Sequence, residues 1–322
     1  MKFRTEIDIK AWQEPIDYSH NILSLGSCFA TNIAEELSRR KFRVVTSPTG
    51  ILFNPASILR AIQQMMSMES PDAEELIELN GRFVHYDFHS TVSGDSRTEA
   101  VEEMRSALKR GNEALHSANL LIITLGTSWI YRLAESHEVV ANCHKQPQRL
   151  FRRERLSVDE CVECLEQIVA LAGCRVLFTV SPVRHAGEGL QDNSLSKATL
   201  RVAVEEVCRR HRQQVAYFPA YEILIDDLRD YRFYADDLVH PSRQAIEYIF
   251  EKFCDVALSE QAKVTMAKVE SIMRAVSHRP SNPRSEAYRT FCNAQLRAME
   301  EVEGIDFSEE KATIERLLQI NL

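Results

Sequence analysis

Short apolar runs alternate with longer amphipathic stretches through most of the chain. The runs are rich in Leu, Ile, Val and Phe at successive positions, and residues typical of turns bound each of them. They cover residues 21–25, 42–46, 119–126, 174–181 and 214–220. Apolar side chains at consecutive positions are typical of strands that are buried on both faces of a parallel sheet. The pattern therefore predicts a mainly parallel central sheet.

The stretches between these runs carry apolar residues at helical spacing. In the first of them, Phe29, Ile33 and Leu37 fall on one face of a helix. The predicted helices cover residues 28–40, 55–67, 98–116, 157–172, 195–212 and 241–257. Regular alternation of strands and helices predicts an α/β fold in which right-handed crossovers connect the parallel strands.

Two segments depart from this alternation. Residues 129–146 follow the third predicted strand and have the pattern of a β-hairpin insert. Residues 258–322 hold charged helical patterns without any strand pattern, and a segment rich in Pro, Ser and Asn at 277–285 interrupts them. We therefore expect an α/β domain over residues 1–257 and a helical C-terminal extension over 258–322.

Composition narrows the functional classes. The 322 residues are 44% hydrophobic, which suffices for a large core, and 39 basic against 47 acidic residues give a net charge of −8. This balance disfavours general nucleic-acid binding, because phosphate recognition requires a basic surface. The chain has no apolar run of membrane-spanning length, and its start lacks the apolar segment of a signal peptide. The eight cysteines are scattered, as is typical of reduced thiols. We expect a cytoplasmic protein that binds neither membranes nor nucleic acid.

The order of the strands indicates where chemistry belongs. In open parallel sheets, ligands bind outside the carboxyl ends of the strands. Ser27 directly follows the first predicted strand and begins the helix predicted over 28–40. It is interpreted either as an N-cap, since Ser is favoured there, or as a nucleophile. Cys28 is the alternative nucleophile, because a helix N-terminus lowers the pKa of a thiol.

A serine nucleophile requires a base, usually a histidine that a carboxylate orients. The spacing acid-x-x-His occurs three times. The instance at 17–20 precedes the first strand, and the instance at 113–116 lies in a helical pattern, so both are remote from the strand exits. Asp237 and His240 instead lie in a loop that follows the last predicted strand. Only this pair is expected to meet Ser27.

An acyl-transfer site also requires donors aimed at the developing oxyanion. Gly50 follows the second predicted strand, and its N–H is one candidate. The N–H of Ser27 and the hydroxyls of Thr127 and Ser128, which follow the third strand, are the others. All of these groups lie at the predicted carboxyl edge of the sheet.

The set of motifs resembles a known superfamily. Gly-Ser after the first strand, Gly after the second and Asp-x-x-His-Pro near the end resemble the SGNH (GDSL-like) hydrolases. The segments LSLGSCFA, PTGILFNP, LGTSWIY, VVANCHKQP and DLVHPS together resemble the GSCFA family more closely, over about residues 20–260. This resemblance implies a three-layer α/β/α sandwich and a catalytic triad of Ser27, Asp237 and His240.

One motif departs from the superfamily pattern. SGNH hydrolases carry Gly-x-Asn after the third strand, and the Asn amide donates to the oxyanion, whereas this chain has Gly126, Thr127 and Ser128. Loss of one oxyanion donor raises the reaction barrier by ~3 kcal/mol. The hydroxyl of Thr127 or Ser128, or Asn142 from the predicted hairpin, is the candidate replacement.

Polar residues near the strand ends are candidate substrate contacts. They are Asn54, Asn142, His144, Arg184 and His185. Asn54 is in addition the predicted cap of the helix over 55–67, since Pro follows it. Arg184 and His185 follow the fourth strand and precede a long polar loop, 186–200, which runs into the next predicted helix and is interpreted as a lid.

Metal and cofactor sites are not expected. Cys161 and Cys164 form a single C-x-x-C without a second pair at zinc spacing. His85 and His89, on either side of Asp87, have no fourth ligand in the sequence nearby. Neither glycine-rich phosphate-binding motif is present. The sequence therefore predicts chemistry carried by side chains alone.

These observations favour a serine esterase or acyl hydrolase that acts on a small-molecule or carbohydrate ester, with an O-acylated carbohydrate as the first candidate by analogy. Two alternatives remain open. The missing Asn suggests a non-catalytic binding or scaffold protein with the same fold. An O-acyltransferase would use the same triad, since water exclusion and acceptor shape separate transfer from hydrolysis. The C-terminal helices are the surface expected to mediate self-association into a homo-oligomer.

Overall fold

The computed structural model describes residues 4–278, 280, 282 and 284–320. Within them, the strands are β1 (Asn21–Gly26), β2 (Arg43–Thr46), β3 (Ile77–Leu79), β4 (Arg82–Val84), β5 (Leu120–Leu125), β6 (Trp129–Leu133), β7 (Val139–Val140), β8 (Phe151–Arg155), β9 (Arg175–Val180) and β10 (Val215–Phe218). The α-helices are α1 (Cys28–Arg39), α2 (Pro55–Ser67), α3 (Arg97–Ser117), α4 (Val158–Ala172), α5 (Leu190–Arg210), α6 (Ala220–Glu222), α7 (Arg243–Ala257), α8 (Glu260–Ser277), α9 (Glu286–Glu300) and α10 (Ser308–Ile320).

The central sheet has five strands in the order β10-β9-β5-β1-β2. Strands β1, β5 and β9 run parallel, with Ser24 opposite Ile122 and Thr124 opposite Thr179. Nearly every residue of these three strands is buried, as is typical of strands that are covered on both faces. The α/β fold predicted from the sequence is confirmed, and the predicted bounds of the five strands lie within two residues of the observed ones.

The strand order reverses direction between β1 and β5. From β1 the chain moves to β2 at one edge, and then it returns to β5 and continues through β9 to β10 at the other edge. Right-handed crossovers therefore place α1 on one face of the sheet and α2–α5 on the other, where α4 packs against both α2 and α5. This reversal is the topological switch point, and its carboxyl end is where open parallel sheets bind ligands.

Helix α5 begins earlier than its sequence pattern predicts. It starts at Leu190 and not at residue 195, so the part of the predicted lid over 190–194 is helical. Asn193, Ser196 and Lys197 are buried on the inner face of the helix. Because these inner positions are polar, the apolar helical periodicity that would reveal the first turns is missing.

A second, antiparallel sheet has the strand order β7-β6-β8. Its middle strand alternates between two environments, as strand geometry requires. Ile130 is fully buried and belongs to the main core, whereas Trp129 and Tyr131 lie on the opposite face. The main core covers one face of this sheet, and the face that carries Trp129 and Tyr131 does not belong to that core.

The described chain forms two compact units. The first comprises residues 4–9, 21–35 and 44–252, and the second comprises residues 10–20, 36–43 and 253–320. All residues of the predicted active site belong to the first unit. The second unit has its own small core around Val269 and Ile314, and the ion pair of Lys41 with Glu310, at 2.7 Å, lies within this unit.

The end of β1 has no room for a side chain at Gly26. Its φ is +130°, and a Cβ there would lie 2.2 Å from the carbonyl oxygen of Thr124 in β5.

We expect Gly26→Ala to lower the free energy of unfolding by about 3 kcal/mol, since overpacking and a positive φ both destabilise. Urea denaturation measures this loss. Gly187→Ala is the control, because no atom lies within 4 Å of its Cβ position; equal stability of both variants would contradict the close approach of the two strands.

Candidate active site

Ser27 lies at the carboxyl end of β1, beside the switch point. Its N–H donates to the Thr124 carbonyl at 3.0 Å, and the residue is completely buried. Its Oγ accepts a hydrogen bond from the N–H of Phe29 at 3.4 Å, and its carbonyl accepts from Ala30. Ser27 therefore acts as the N-cap of α1, and its role as a nucleophile stays a prediction.

Cys28 does not have the environment of an activated thiol. It is half-buried, and burial raises the pKa of its thiol; the Asp237 carboxylate raises this pKa further, while the charge of Lys197 opposes the rise. A thiolate is the nucleophilic form of cysteine. The alternative with Cys28 as the nucleophile is therefore disfavoured, because the thiol stays protonated at neutral pH.

The loop before α7 brings Asp237 and His240 together. Nδ1 of His240 lies 2.7 Å from one carboxylate oxygen of Asp237, and the other carboxylate oxygen accepts the N–H groups of Val239 and His240, both at 2.9 Å. The bond to the imidazole, followed by the two backbone bonds, lowers the pKa of Asp237 to about 2. The carboxylate is therefore ionised and holds the proton of His240 on Nδ1, which leaves Nε2 as an acceptor.

This loop is tied to the end of β9. The N–H of Arg184 donates to the carbonyl of Val239 at 3.1 Å. The Arg184 guanidinium lies over the rings of Tyr234 and Tyr231, at 4.1 and 4.9 Å from their centroids. The charge of Arg184 packs on two aromatic rings and positions the loop, and its role in substrate binding stays a prediction.

Ser27 and His240 lie at the same edge of the sheet without direct contact. No hydrogen bond among the described residues joins Ser27 Oγ to His240. The loop nevertheless interacts electrostatically with the strand ends. The charge of Asp237 raises the pKa of the Cys28 thiol, and the charge of His240 lowers the pKa of His185. The ring of His240 is 49% exposed, so few packed atoms oppose a movement of the loop or of this side chain.

Four of the candidate oxyanion donors have partners within the protein. The Gly50 N–H donates to the carbonyl of Ser47 at 2.7 Å, and the Ser27 N–H donates to β5. The hydroxyls of Thr127 and Ser128 lie 2.9 and 3.2 Å from Ser196 Oγ. None of these groups is free to bind an oxyanion in this conformation, because turn formation and packing against α5 already satisfy them.

Lys197 is a residue at this edge that the sequence analysis missed. Its side chain is buried, and its Nζ donates to the carbonyls of Gly126 and Ser181 at 2.6 and 2.7 Å. These carbonyls end β5 and β9, so one ammonium group joins two strand exits. Lys197 already lies in the helix predicted over 195–212, on the same face as Leu200 and Val204, and this position is the signal that could have found it.

Two of the predicted substrate contacts have structural roles of their own. Asn54 caps α2 as predicted, since its Oδ1 accepts the Ser57 N–H at 2.8 Å. The ring of His144 lies 2.8 Å from the His85 carbonyl through Nε2 and 3.1 Å from Ser90 through Nδ1. This ring therefore joins the hairpin to the neighbouring loop, and its contact with a substrate stays a prediction.

A cavity of about 690 Å³ opens beside these residues. Its lining includes Asn54, Thr127, Asn142 and His185 from the predicted site, together with the outer face of the antiparallel sheet. This volume falls in the range of small-molecule pockets. Within the part of the chain that the structure describes, no group of three or more His, Cys, Asp or Glu side chains is arranged to hold a metal ion.

His185 makes the stability of the protein depend on pH. Burial lowers its pKa to about 4, and the charges of Lys197 and His240 add to this effect. The unfolded chain takes up the proton at pH ~6.5. The free energy of unfolding therefore falls as the pH drops from about 6.5 to 4, and this residue contributes about 3 kcal/mol to the fall.

We expect His185→Gln to flatten this decline, measured by urea unfolding from neutral to acidic pH. His116→Gln, which changes an exposed ring, should keep the wild-type slope; a wild-type slope in His185→Gln would contradict the assignment.

Two family models match the chain. The model described as GSCFA family matches residues 21–253, and the model described as GSCFA domain protein, C-terminal domain, matches residues 269–320. None of the curated proteins compared with the chain matches it. No helix among the described residues is long and apolar enough to cross a membrane. The first match spans most of the chain and includes every residue of the candidate site, so this protein belongs to the GSCFA family.

Proposed function

We propose that this protein is a serine esterase of the SGNH type that hydrolyses acyl esters, with O-acylated carbohydrates as the expected substrates. The observation that carries the proposal is the bond between His240 Nδ1 and the Asp237 carboxylate, in a loop at the carboxyl edge of the sheet. A carboxylate that fixes the imidazole tautomer is what a general base for a serine requires. Ser27 follows β1 at the same edge.

In the proposed reaction, the Oγ of Ser27 attacks the ester carbonyl while Nε2 of His240 takes its proton. The proton then passes to the departing alkoxide, which leaves as the alcohol, and an acyl-serine remains. Water attacks this acyl group with His240 again as the base, and the acid and free Ser27 are released. Asp237 stays ionised throughout and stabilises the imidazolium that forms in each step.

The reaction requires three local adjustments. The Oγ of Ser27 exchanges its long bond to Phe29 for a bond to His240, and the exposed ring of His240 moves to within about 2.6–3.2 Å of it. Donors for the oxyanion come from Gly50, Thr127 or Ser128, which release their present partners. Lys197, bonded to the carbonyl of Gly126, adds positive potential at this edge, which favours negative charge there.

A second candidate function is a binding protein that keeps the fold without the chemistry. The complete burial of Ser27 favours it, together with the bonds that already occupy the oxyanion donors. In that case Ser27 serves α1 as a cap only. Reactivity of the serine separates the two functions, because a capping hydroxyl without a base does not attack a phosphonate.

A fluorophosphonate probe tests the proposed nucleophile. We expect the folded protein to be labelled, because His240 and Asp237 activate Ser27, and we expect labelling to fall by about 10²-fold or more in Ser27→Ala and His240→Ala. Cys28→Ala should keep its labelling. The rate is read from gel fluorescence, and mass spectrometry locates the adduct.

The matched control is His211→Ala. His211 also pairs with a carboxylate, that of Glu166 at 2.5 Å, but it precedes β10 and thus lies at the amino edge of the sheet. Its labelling should equal that of the wild type. Absence of labelling in a wild-type sample that unfolds cooperatively would reject the esterase and favour the binding protein, whereas labelling that Cys28→Ala abolishes would reject Ser27.

A further inference from the structure

The chain leaves β7 through a tight turn, residues 143–146. The N–H of Gln146 donates to the carbonyl of Cys143 at 2.9 Å, and the two central residues, His144 and Lys145, have φ of +49° and +56°. Left-handed backbone is unfavourable for residues other than glycine. Two such residues in succession therefore keep this conformation only because contacts outside the turn hold it.

The side-chain contact is made by the ring of His144. Its Nε2 lies 2.8 Å from the carbonyl of His85, and its Nδ1 lies 3.1 Å from the hydroxyl of Ser90. A carbonyl only accepts hydrogen bonds, so Nε2 carries the proton of the neutral ring and Nδ1 accepts from the hydroxyl. Each nitrogen of the neutral ring thus has a partner in the loop that follows β4, residues 85–90.

Backbone bonds add to this contact. The carbonyl of Tyr86 accepts the N–H groups of Ala141 and Asn142, at 2.9 and 3.0 Å. The side-chain oxygen of Asn142 accepts the N–H of His144 at 2.8 Å. The turn is therefore joined to the loop along residues 141–144, and the ring of His144 is the titratable group that takes part.

A proton on His144 lacks compensation. Burial lowers the pKa of this ring; the bond to the His85 carbonyl opposes the shift, and the charges of His89 and His85 add to it. Burial lowers the pKa of His89 as well. Among the described residues, no carboxylate acts on the ring of His144, so its charged form has no counter-ion in this position.

The other neighbours of this ring are uncharged or face the solvent. The ring of Tyr86 lies 6.2 Å away, between centroids, and burial raises the pKa of its hydroxyl. Burial raises the pKa of the Cys143 thiol to about 11, so both groups stay neutral at neutral pH. Lys145 is exposed, and the salt in the solvent screens its charge.

His85 provides the contrast within the same loop. Burial lowers its pKa, but the carboxylates of Asp87, Glu75 and Glu138 oppose the shift, while the cation of Arg60 adds to it. A proton on His85 is therefore met by negative charge, whereas a proton on the ring in the turn is not.

We propose that His144 is a pH-sensitive latch, and that its protonation releases the turn 143–146 from the loop 85–90. The charged ring moves into water, where it is solvated, and the left-handed turn then loses the contacts that hold it. Asn142, Cys143 and Gln146 line the 690 Å³ cavity, so the release opens one wall of this cavity. The latch requires neither Ser27 nor the oriented base, and it is therefore tested separately from the proposed function.

The imidazole resonances test the first step. The ring signal of His144 is assigned by its loss in His144→Gln and is followed by NMR as the pH falls. We expect the ring in the folded wild type to titrate below pH ~6.5, the ordinary value for histidine, because the closed turn disfavours the charged form. Titration at or above that value would overturn the proposal.

Hydrogen exchange measures the release itself. The amides of Ala141 and Asn142 report on it, because both donate to the Tyr86 carbonyl. Between pH 7 and 5 we expect their protection, corrected for intrinsic rates, to fall by about tenfold relative to that of Ile122 in β5, since the released ring takes up a proton at pH ~6.5. The comparison with Ile122 removes the part that comes from global unfolding.

Two histidines near β7 form the matched pair of variants. His144→Gln keeps a polar side chain that takes up no proton, so the relative protection of the two amides should no longer change with pH. His137→Gln alters an exposed ring on a residue that also has a left-handed φ, +62°, and should keep the wild-type change. Relative protection of the wild type that is independent of pH, or a wild-type change in His144→Gln, would contradict the latch. The measurements on the wild type decide the question even if a variant fails to fold.

Discussion

The close approach of β1 to β5 is the constraint on which the rest of the site depends. It exists because residue 26 has no side chain, so the backbone of Gly26 fits against the carbonyl of Thr124. The N–H of Ser27 then reaches that carbonyl, and this bond fixes where α1 begins. A side chain at residue 26 would separate the two strands where the chain order reverses, and the loops that meet there would lose their common support.

Backbone bonds extend this support to the neighbouring loops. The N–H of Leu52 donates to the carbonyl of Gly26, and the carbonyl of Phe53 accepts the N–H groups of Gly126 and Thr127. The loop after β2 is therefore fixed between the ends of β1 and β5. These bonds are made by the main chain, so they do not require particular side chains at Leu52, Phe53 and Thr127.

The side chain of Lys197 connects the ends of β5 and β9. An ammonium group in the interior is costly unless it is fully hydrogen-bonded, and here it is bonded to two strand-end carbonyls. Its charge helps to lower the pKa of the His185 ring and opposes the rise in the pKa of the Cys28 thiol. The same group thus stabilises the strand ends and sets the electrostatic potential of the candidate site.

The candidate residues lie at one edge of the sheet, but most of them are bonded to partners within the protein. Asp237 and His240 already have the geometry of an oriented base, whereas Ser27 and the groups expected around an oxyanion are engaged in bonds of their own. The contrast follows from exposure: the loop with His240 is open to solvent, whereas Ser27, Thr127 and Ser128 are buried, and buried polar groups are usually hydrogen-bonded. The proposed reaction therefore requires these buried groups to exchange their present partners.

The sequence by itself determined the parallel sheet, its strands and most of its helices, since apolar runs and helical spacing report burial directly. It also located Ser27 and the Asp237–His240 loop at one edge, because parallel strands carry their carboxyl ends together. Only the tertiary structure decided the start of α5, the burial of Lys197 and the partners of Thr127 and Ser128. These depend on polar side chains satisfied across distant segments, such as Ser196 with Ser128, and no local pattern records a hydrogen bond between residues that are far apart in the chain.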